Sequence, residues 1–562
     1  MNFRNALTYG VYSIHDILEY IWNLEIFQRY STLYKEKLPS RLSWVTPALL
    51  RRLCAEIVVI SMLVYWVQST MAIGRFPGGD GPHIIGTAGR LAQQLADGDW
   101  YWFVLCFSSL LGPHPPFAYL PFTISALFFP DVQANYLIGS ALVLWLGWDA
   151  LYRCNAGIVG FLWLICLAPV WLQAENAGID LIAGVVAIQA TSHLIASKQL
   201  ESRWHSVAWG LWMGVGFMTK YTAPMFLWGP CIMAGYWIIR HKRWKHLGFA
   251  VLGFAIIALP WWSTHWQQVQ GYVLASSNAG SGLLTNKTMI ENPWSAENAM
   301  WYPSVVADAM GWVGCSIALI AVLLPNKQKS NYIYLLAILG GWIFVNSQKQ
   351  RQDRYIIPAY PLLAAGIASA PAVVSIASLP IMWKLLTATR EIYTTQSNPP
   401  SERSYTHDTS NSGATYPIPH EAYWPISHNP TSWQVDRALQ TLRRYVDSDE
   451  GTVGFLLDEQ GGAPGYGMIL SRTVQLGYRW HIATVMIARP QGNIQEKNRP
   501  LASIFVGPFL FGEWPPREFS VMLSMVDNKD PQREKWLQST GMTVVEEWAL
   551  PQNRTAKIWV KP

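Results

Sequence analysis

The stretch IDLIAGVVAIQATSHLIASKQLESRWHSVAWGLWMGVGFMTKYTAP, residues 179–224, decides the fold. It reads as an apolar run, a short polar turn with Lys198 and Arg203, and a second apolar run. Each run approaches the roughly 20 apolar residues that a helix needs to cross a bilayer. By the positive-inside rule, the basic turn between them marks the cytoplasmic side. Asp180 and Lys220 stand at the far ends of the two runs, so both are expected together at the outer side.

Outward from this hairpin, further spans are expected near 53–73, 134–152, 156–173, 223–239, 247–264, 304–324, 331–346, 355–373 and 374–389. The pieces 101–112 and 117–130 are either two more spans or helices lying at the interface. The total is about 11–13 spans. Arg41, Arg51 and Arg52 precede the first span, and Arg153 follows the second. Arg240, Lys242, Arg243 and Lys245 follow the sixth, and Lys327 and Lys329 the eighth. All of these fall on one side, the cytoplasm. The loop 74–132, the Glu175–Asp180 turn, the loop 265–303, the segment 347–354 and the C-terminal part fall on the other.

Composition agrees. Of 562 residues 51% are hydrophobic and 14% charged, against about 25% charged in a soluble chain. That excludes an ordinary soluble enzyme, a disordered chain and a collagen. The 30 Trp and 25 Tyr suit membrane–water interfaces. Residues 1–390 hold 25 Lys+Arg and 17 Asp+Glu, whereas 391–562 hold 16 and 18. The net +6 is therefore a topology signal and not a nucleic-acid signal. All six Cys lie before residue 316 without metal-ligand spacing, so the C-terminal part holds no disulfide. No apolar h-region with a small-residue cleavage site occurs near the N-terminus, so the first apolar run is expected to be an uncleaved span.

Residues 391–432 have a linker composition rich in Ser, Thr, Asn and Pro. Beyond them a helix is expected over 433–446. Strands are expected near 452–457, 466–470, 482–488, 501–507, 542–549 and 556–560, with a second helix near 531–539. The predicted organisation is a cytoplasmic segment 1–52, a transmembrane domain 53–390, the linker, and an extracytoplasmic α/β domain 433–562.

Several outer residues could carry chemistry. RFPGGDGPHIIGTAGRLAQQLADGDW places Asp80 between glycines just outside the first span. It suits a general base for an acceptor hydroxyl, and it equally suits an Asx-type turn capping the next helix. His83 lies one turn on, as an assistant or as a solvated loop histidine. GPHPPFAYLPF at 112–122 rigidifies the return to the membrane and carries His114. Glu175 and Asp180 are ionisable residues at the outer end of a span, either functional or simply held in the wet interface.

Lys220 stands near the outer end of an apolar run. It either pairs with a phosphate or snorkels to the interface, and Gly214 and Gly216 before it suit close helix packing. SQKQRQDRY places Lys349, Arg351 and Arg354 outside, against the charge rule. The functional reading is an anion held there, and the alternative is a span miscounted by one. GGAPGYG at 461–467 lacks the Lys-Ser/Thr of a phosphate loop and reads as a turn. No HExxH, GxSxG or Cys/His metal pattern occurs. No cofactor is implied, and a divalent metal stays open without being indicated.

GGDGPHIIGTAGRLAQQLADGDW, GPHPPFAYL, GFMTKYTAP and QDRYIIPAYPLL, in this order, resemble the GT-C glycosyltransferases of the protein O-mannosyltransferase and aminoarabinose-transferase type. The resemblance covers about residues 54–375. It implies transfer of a hexosyl or pentosyl group, with inversion, from a polyprenyl-phosphate donor to a lipid, glycan or protein acceptor at the outer face of a bacterial inner membrane. Asp80 matches the family's catalytic loop Asp. Lys220 and Arg354, with Arg351 and Lys349 in the latter's segment, match basic positions suited to the donor phosphate. Asp180 matches the outer acid of the cavity, where His83, His114, Glu175 and Tyr355 are also expected. One departure is that Gly81 follows Asp80 where the family often has Glu. A polyprenyl-carrier-dependent polymerase or ligase is the main alternative. A transporter is a weaker one, because neither inverted repeats nor midplane charges are visible.

Overall fold

The structure, a computed structural model, describes residues 47–73, 81–108, 115–129, 131–277, 294–323, 331–348, 353–370, 374, 378–387, 434–446, 452–456, 481–487, 503–506, 520–527, 537–539, 541–550 and 554–562. Residues to Tyr65 form one compact unit and those from Trp66 another. The helix α1, Pro47–Ile73, carries the boundary and has an apolar window over Arg52–Ala72, long enough to cross a membrane.

After α1 the second unit continues with amphipathic α2, Gly81–Ala96. Its Ile84, Ile85, Ala88, Leu91 and Ala92 are buried at helical spacing, and Asp97–Asp99 lies exposed or half-exposed after it. The two uncertain apolar pieces become short helices, α3, Trp100–Ser108, and α4, Leu120–Phe128. Each has 9 residues, a rise of about 13–14 Å, too short to cross ~30 Å of hydrocarbon. Neither described helix is by itself a full span; residues 109–114, between them, lie outside the described residues.

The next helix, α5, Val132–Arg153, starts at an Asp131 cap whose carboxylate accepts from Ala134 N at 2.8 Å. The span expected at 156–173 is bent. Helices α6, Gly157–Ile165, and α7, Ala168–Glu175, meet at 73°, because Pro169 in the first turn of α7 cannot donate to a continuing helix. Then come the opening hairpin's two helices, α8, Ile179–Ala196, and α9, Arg203–Phe217. They are followed by α10, Ala223–His241, the 34-residue α11, Trp244–Ser277, and α12, Trp301–Leu323. The helix α13, Asn331–Ser347, a 3-10 turn at Asp353–Ile356, and α14, Ala359–Ala368, complete this part.

Four of these helices, or five counting the bent pair once, are long and apolar enough to cross a membrane by themselves. Other expected spans fall on shorter helices, 15 residues in α9 and 17 in α13. Helix α8 is the axis of the bundle. Its 18-residue window is 83% buried, which fits a helix apolar on all faces. Gly184 admits Pro358, since a Cβ there would stand 2.9 Å from the Pro358 Cα. On α9, Gly210 packs onto the Ala250 carbonyl of α11, and a Cβ at Gly214 would stand 2.8 Å from Ile257. This is the close approach that small residues allow between membrane helices.

The turn from α8 to α9 is left-handed at three successive residues, Lys198, Gln199 and Leu200, with φ of 51°, 61° and 64°. Such a run is unfavourable for L-residues. Buried Ser197 holds it, its Oγ donating to Leu194 O at 2.5 Å and accepting from Leu200 N at 2.9 Å. Ser197→Ala leaves a buried amide without its acceptor. It is expected to cost about 1–3 kcal/mol, read as a lower midpoint of thermal unfolding in detergent. An unchanged midpoint would show that the turn holds itself.

The C-terminal part is a six-stranded mixed sheet, in order β3-β2-β1-β4-β6-β5. Its strands are β1 Thr452–Leu456, β2 His481–Ile487, β3 Ser503–Val506, β4 Val521–Asp527, β5 Thr543–Leu550 and β6 Arg554–Val560. Central β1 is parallel to β2 and β4, and the other pairs are antiparallel. Helix α15, Val435–Leu442, packs Val435, Ala438, Leu439 and Leu442 onto this sheet. Strand β4 was not expected, although VMLSMVD is an apolar run flanked by Pro515 and Pro516 before it and by Asn528 and Pro531 after it. The strand expected at 466–470 and the linker 391–432 lie outside the described residues, and of the helix expected near 531–539 only 537–539 is described.

Candidate functional site

Three turns at one end of the bundle build the site. The first is the α7–α8 turn, which carries Glu175 and leads into Asp180. Ser140 Oγ of α5 donates to Ala174 O at 2.6 Å and pins the end of α7. Ala177 turns the chain with φ 50°, and Gly178 N donates to Gln173 O at 2.7 Å. Asp180 then falls in the first turn of α8, where the helix dipole favours a negative charge.

The second is the α9–α10 turn, where Met218, Thr219 and Lys220 follow the helix. Its Met218 O accepts from Phe117 N at 2.9 Å. The HPP motif therefore docks its 3-10 turn, Pro116–Ala118, two residues before Lys220. The third is the 3-10 turn Asp353–Ile356, which carries Arg354 and Tyr355.

The turns converge on one carboxylate. Lys220 Nζ donates to Asp180 Oδ1 at 2.5 Å, and Arg354 Nε stands 4.0 Å from Asp180 Oδ2. The Lys220 ammonium also lies over the Tyr355 ring, 5.4 Å from its centroid. Asp180 is 2% exposed and Lys220 7%. Arg354 and Tyr355 are half-buried, so Arg354 is the cation of the three that is more open to an incoming group. Glu175 is buried in the same turn as Asp180. One buried acid thus sits between two cations, and the trio has a net positive charge.

Lys220 has a partner that the sequence did not reveal. The desolvation cost of its ammonium is offset by a protein carboxylate 40 residues away in sequence, where the sequence reading had considered a phosphate or solvent. The helix ends at Phe217, so Lys220 stands in the turn and not within the helix. Asp80 immediately precedes α2 and lies outside the described residues, as do His114, Lys349 and Arg351. For His83 only the backbone, in α2, is described. Among the described residues no group of three His, Cys, Asp or Glu is placed to hold a metal ion.

Two features were missed in the sequence. Gln173 and Asn176 are buried polar residues of the Asp180 turn, and their amide types in QAENAGID were the available signal. The second is a cavity of about 240 Å³ lined by Phe217, Tyr221, Pro224, Trp262, Trp266, Val269 and Gln270. The Trp run WWSTHW at 261–266 was its signal.

The opposite end of the bundle is built differently. Arg153 pairs with Asp149 and donates to Gln189 Oε1 at 2.9 Å and Ser192 Oγ at 2.7 Å. Arg243 pairs with Glu201 at 2.6 Å. Asp180 and Ser192 are near opposite ends of α8, so Arg153 falls at the end away from Asp180, Lys220 and Arg354.

No protein-family model matches the chain, and no curated protein matches it. Solved structures do. The crystal structure of ArnT from Cupriavidus metallidurans bound to undecaprenyl phosphate is 14% identical, with TM-score 0.50, over 89% of this chain and 97% of that one. The apo form of the same protein is 13% identical with TM-score 0.50, over 89% and 98%. The arabinofuranosyltransferase AftD from mycobacteria, a cryo-EM structure, is 12% identical with TM-score 0.40, over 89% of this chain and 40% of that one. Bundle, bent span and C-terminal sheet together make this a multi-pass membrane protein with the GT-C fold of membrane glycosyltransferases.

Proposed function

We propose that this protein is a membrane glycosyltransferase. It moves a sugar from a polyprenyl-phosphate donor to a hydroxyl of a lipid, glycan or protein acceptor at the outer face of the inner membrane, with its C-terminal domain on that side. The observation that carries the reading is the buried Asp180 held between Lys220 and Arg354 at one end of the bundle. A net positive, largely desolvated cluster there suits a phosphate leaving group. The fold, and the undecaprenyl phosphate bound to ArnT, support it. A polyprenyl-carrier polymerase or ligase would use the same donor chemistry with a longer glycan.

In this reading the acceptor hydroxyl oxygen attacks the anomeric carbon from the face opposite the phosphate. Its proton passes to the Asp80 carboxylate. The C1–O bond to the phosphate breaks, and the electron pair leaves with the polyprenyl phosphate. Arg354, with Arg351 and Lys349 of the same segment, holds the charge that develops on the phosphate. Lys220 fixes Asp180, which in turn orients Arg354. In this reading His83, His114, Glu175 and Tyr355 contribute to the substrate-binding cavity, apart from the aromatic recess. The aromatic recess beside Tyr221 accommodates branched apolar chain next to the phosphate site.

The test is transfer from synthetic polyprenyl-phosphate sugars in proteoliposomes, followed by release of polyprenyl phosphate. Arg354→Gln is expected to lower turnover about 10²-fold, with Arg354→Lys recovering part of it, since the charge remains but the planar fork is lost. Equal turnover in Arg354→Gln removes that residue from the phosphate. Absence of release from every donor sugar, with folded protein, sinks the glycosyltransferase reading.

A further inference from the structure

The end of the bundle away from Asp180 carries two basic connections. That between α8 and α9 holds Lys198 and leads into Arg203, and that between α10 and α11 holds Arg240, Lys242, Arg243 and Lys245. Helices α9 and α11 pack closely, with Gly210 on the Ala250 carbonyl. Two further contacts join the connections directly. Arg243 donates to Glu201 at 2.6 Å, and the Arg203 guanidinium lies over the Phe249 ring, 5.4 Å from its centroid. The two connections therefore form one surface with six cations. Glu201 is the only acid in residues 198–246, and Arg243 takes it. Lys198, Lys242 and Lys245 are exposed, and among the described residues none of them has a carboxylate partner.

The level of this surface follows from helix length. Helix α10 has 19 residues, about 28 Å, close to the ~30 Å of hydrocarbon in a bilayer. With its Lys220 end at one face, its other end stands among the headgroups of the opposite leaflet. Trp204 and Trp244, 77% and 60% exposed, flank the cations there. An indole with an apolar body and a polar N–H settles at that level. The charge rule asks only for Lys and Arg in each connection. It does not ask that two connections meet, or that indoles flank them.

We infer that this surface binds the phosphate headgroup of an anionic phospholipid, in the leaflet that the charge rule assigns to the cytoplasm. Lys198, Lys242 and Lys245 meet the phosphate as point charges, and Trp204 and Trp244 rest against the glycerol and upper acyl chain. Clustered Lys and Arg at the ends of spans suit anionic lipid and give nothing to a zwitterionic one. The inference does not depend on the sugar-transfer reading, which concerns the other end of the bundle.

The experiment uses the full chain, purified in a nonionic detergent, with lipid binding read by native mass spectrometry. Phosphatidylglycerol is expected to bind in preference to phosphatidylcholine, and more weakly as salt rises. K242Q with K245Q is expected to lower the affinity for phosphatidylglycerol about 10–30-fold. Lys198, Arg203, Arg240 and Arg243 remain in that variant, so the topology signal persists. The control pair, K327Q with K329Q, removes two charges that the rule puts on the same side in another connection, and is expected to change affinity much less. E201Q frees Arg243 while the packing of α9 on α11 still holds the surface together. It is expected to tighten binding about fivefold, a gain that misfolding cannot produce. Equal losses from the two lysine pairs show diffuse charge and overturn the site, as does equal binding of phosphatidylcholine. Displacement of the lipid by glycerol phosphate at the same concentration assigns the surface to a soluble anion and overturns the lipid.

Discussion

Asp80→Asn lowers the turnover of sugar transfer about 10²–10⁴-fold, with KM for the donor little changed. Two roles compete for this carboxylate, base and helix cap, and asparagine separates them. Asp80 directly precedes α2, which begins at Gly81. Asn caps a helix about as well as Asp, so the substitution preserves a capping bond to the first turn. It has no basicity near neutral pH, so it cannot take the hydroxyl proton. A large fall in kcat with an unchanged thermal midpoint places the base at Asp80. Full activity leaves only the cap. Asp80→Ala supplies the complementary measurement, because it removes both functions and lowers the midpoint as well if a cap is present.

Lys220→Met is the second large effect, and its signature is a cycle. Asp180 is 2% exposed and its closest cation is Lys220. Removing one partner of a buried pair typically costs about 3–5 kcal/mol, because the remaining charge stays desolvated. Here the lower end is expected, because Arg354 at 4.0 Å and the first turn of α8 still favour the Asp180 charge. The double variant Asp180→Asn with Lys220→Met removes both charges. It is expected to return most of the stability and none of the activity. Thermal unfolding and transfer rates are measured on all four proteins. If the double variant is as unstable as Lys220→Met alone, the pair is not what stabilises the turn. If it keeps activity, the pair does not organise Arg354 for the phosphate.

Much of the fold is legible in composition and charge. The alternation of apolar runs with basic turns assigns ends to helices, and it put Asp180, Lys220 and Arg354 together without any contact being known. That works because membrane insertion reads length and charge locally along the chain. The same local reading fails where a span is not a straight, full-length helix. The 73° bend between α6 and α7 and the break at Gly311 in α12 leave an apolar run apolar, so hydropathy cannot register them. The short helices α3 and α4 were ambiguous for a related reason, since an apolar run of that length serves equally at an interface. In the C-terminal part β1, β2, β3, β5 and β6 fall on expected strands, whereas β4 was not expected although Pro515 and Pro516 before it and Asn528 and Pro531 after it bound its apolar run.

By itself the sequence determined which residues are candidates, and it placed Asp180, Lys220 and Arg354 at one end of the bundle. Residue type, hydropathy and positive charge are properties of short segments, and the bilayer acts on short segments. Only the tertiary structure decided who pairs with whom. Lys220 and Asp180 are joined because the α7–α8 and α9–α10 turns meet over the end of α8. The HPP turn reaches the same place through one backbone bond to Met218. Pairings of this kind depend on distances between segments far apart in sequence, and those distances are set by helix packing, which no single segment encodes.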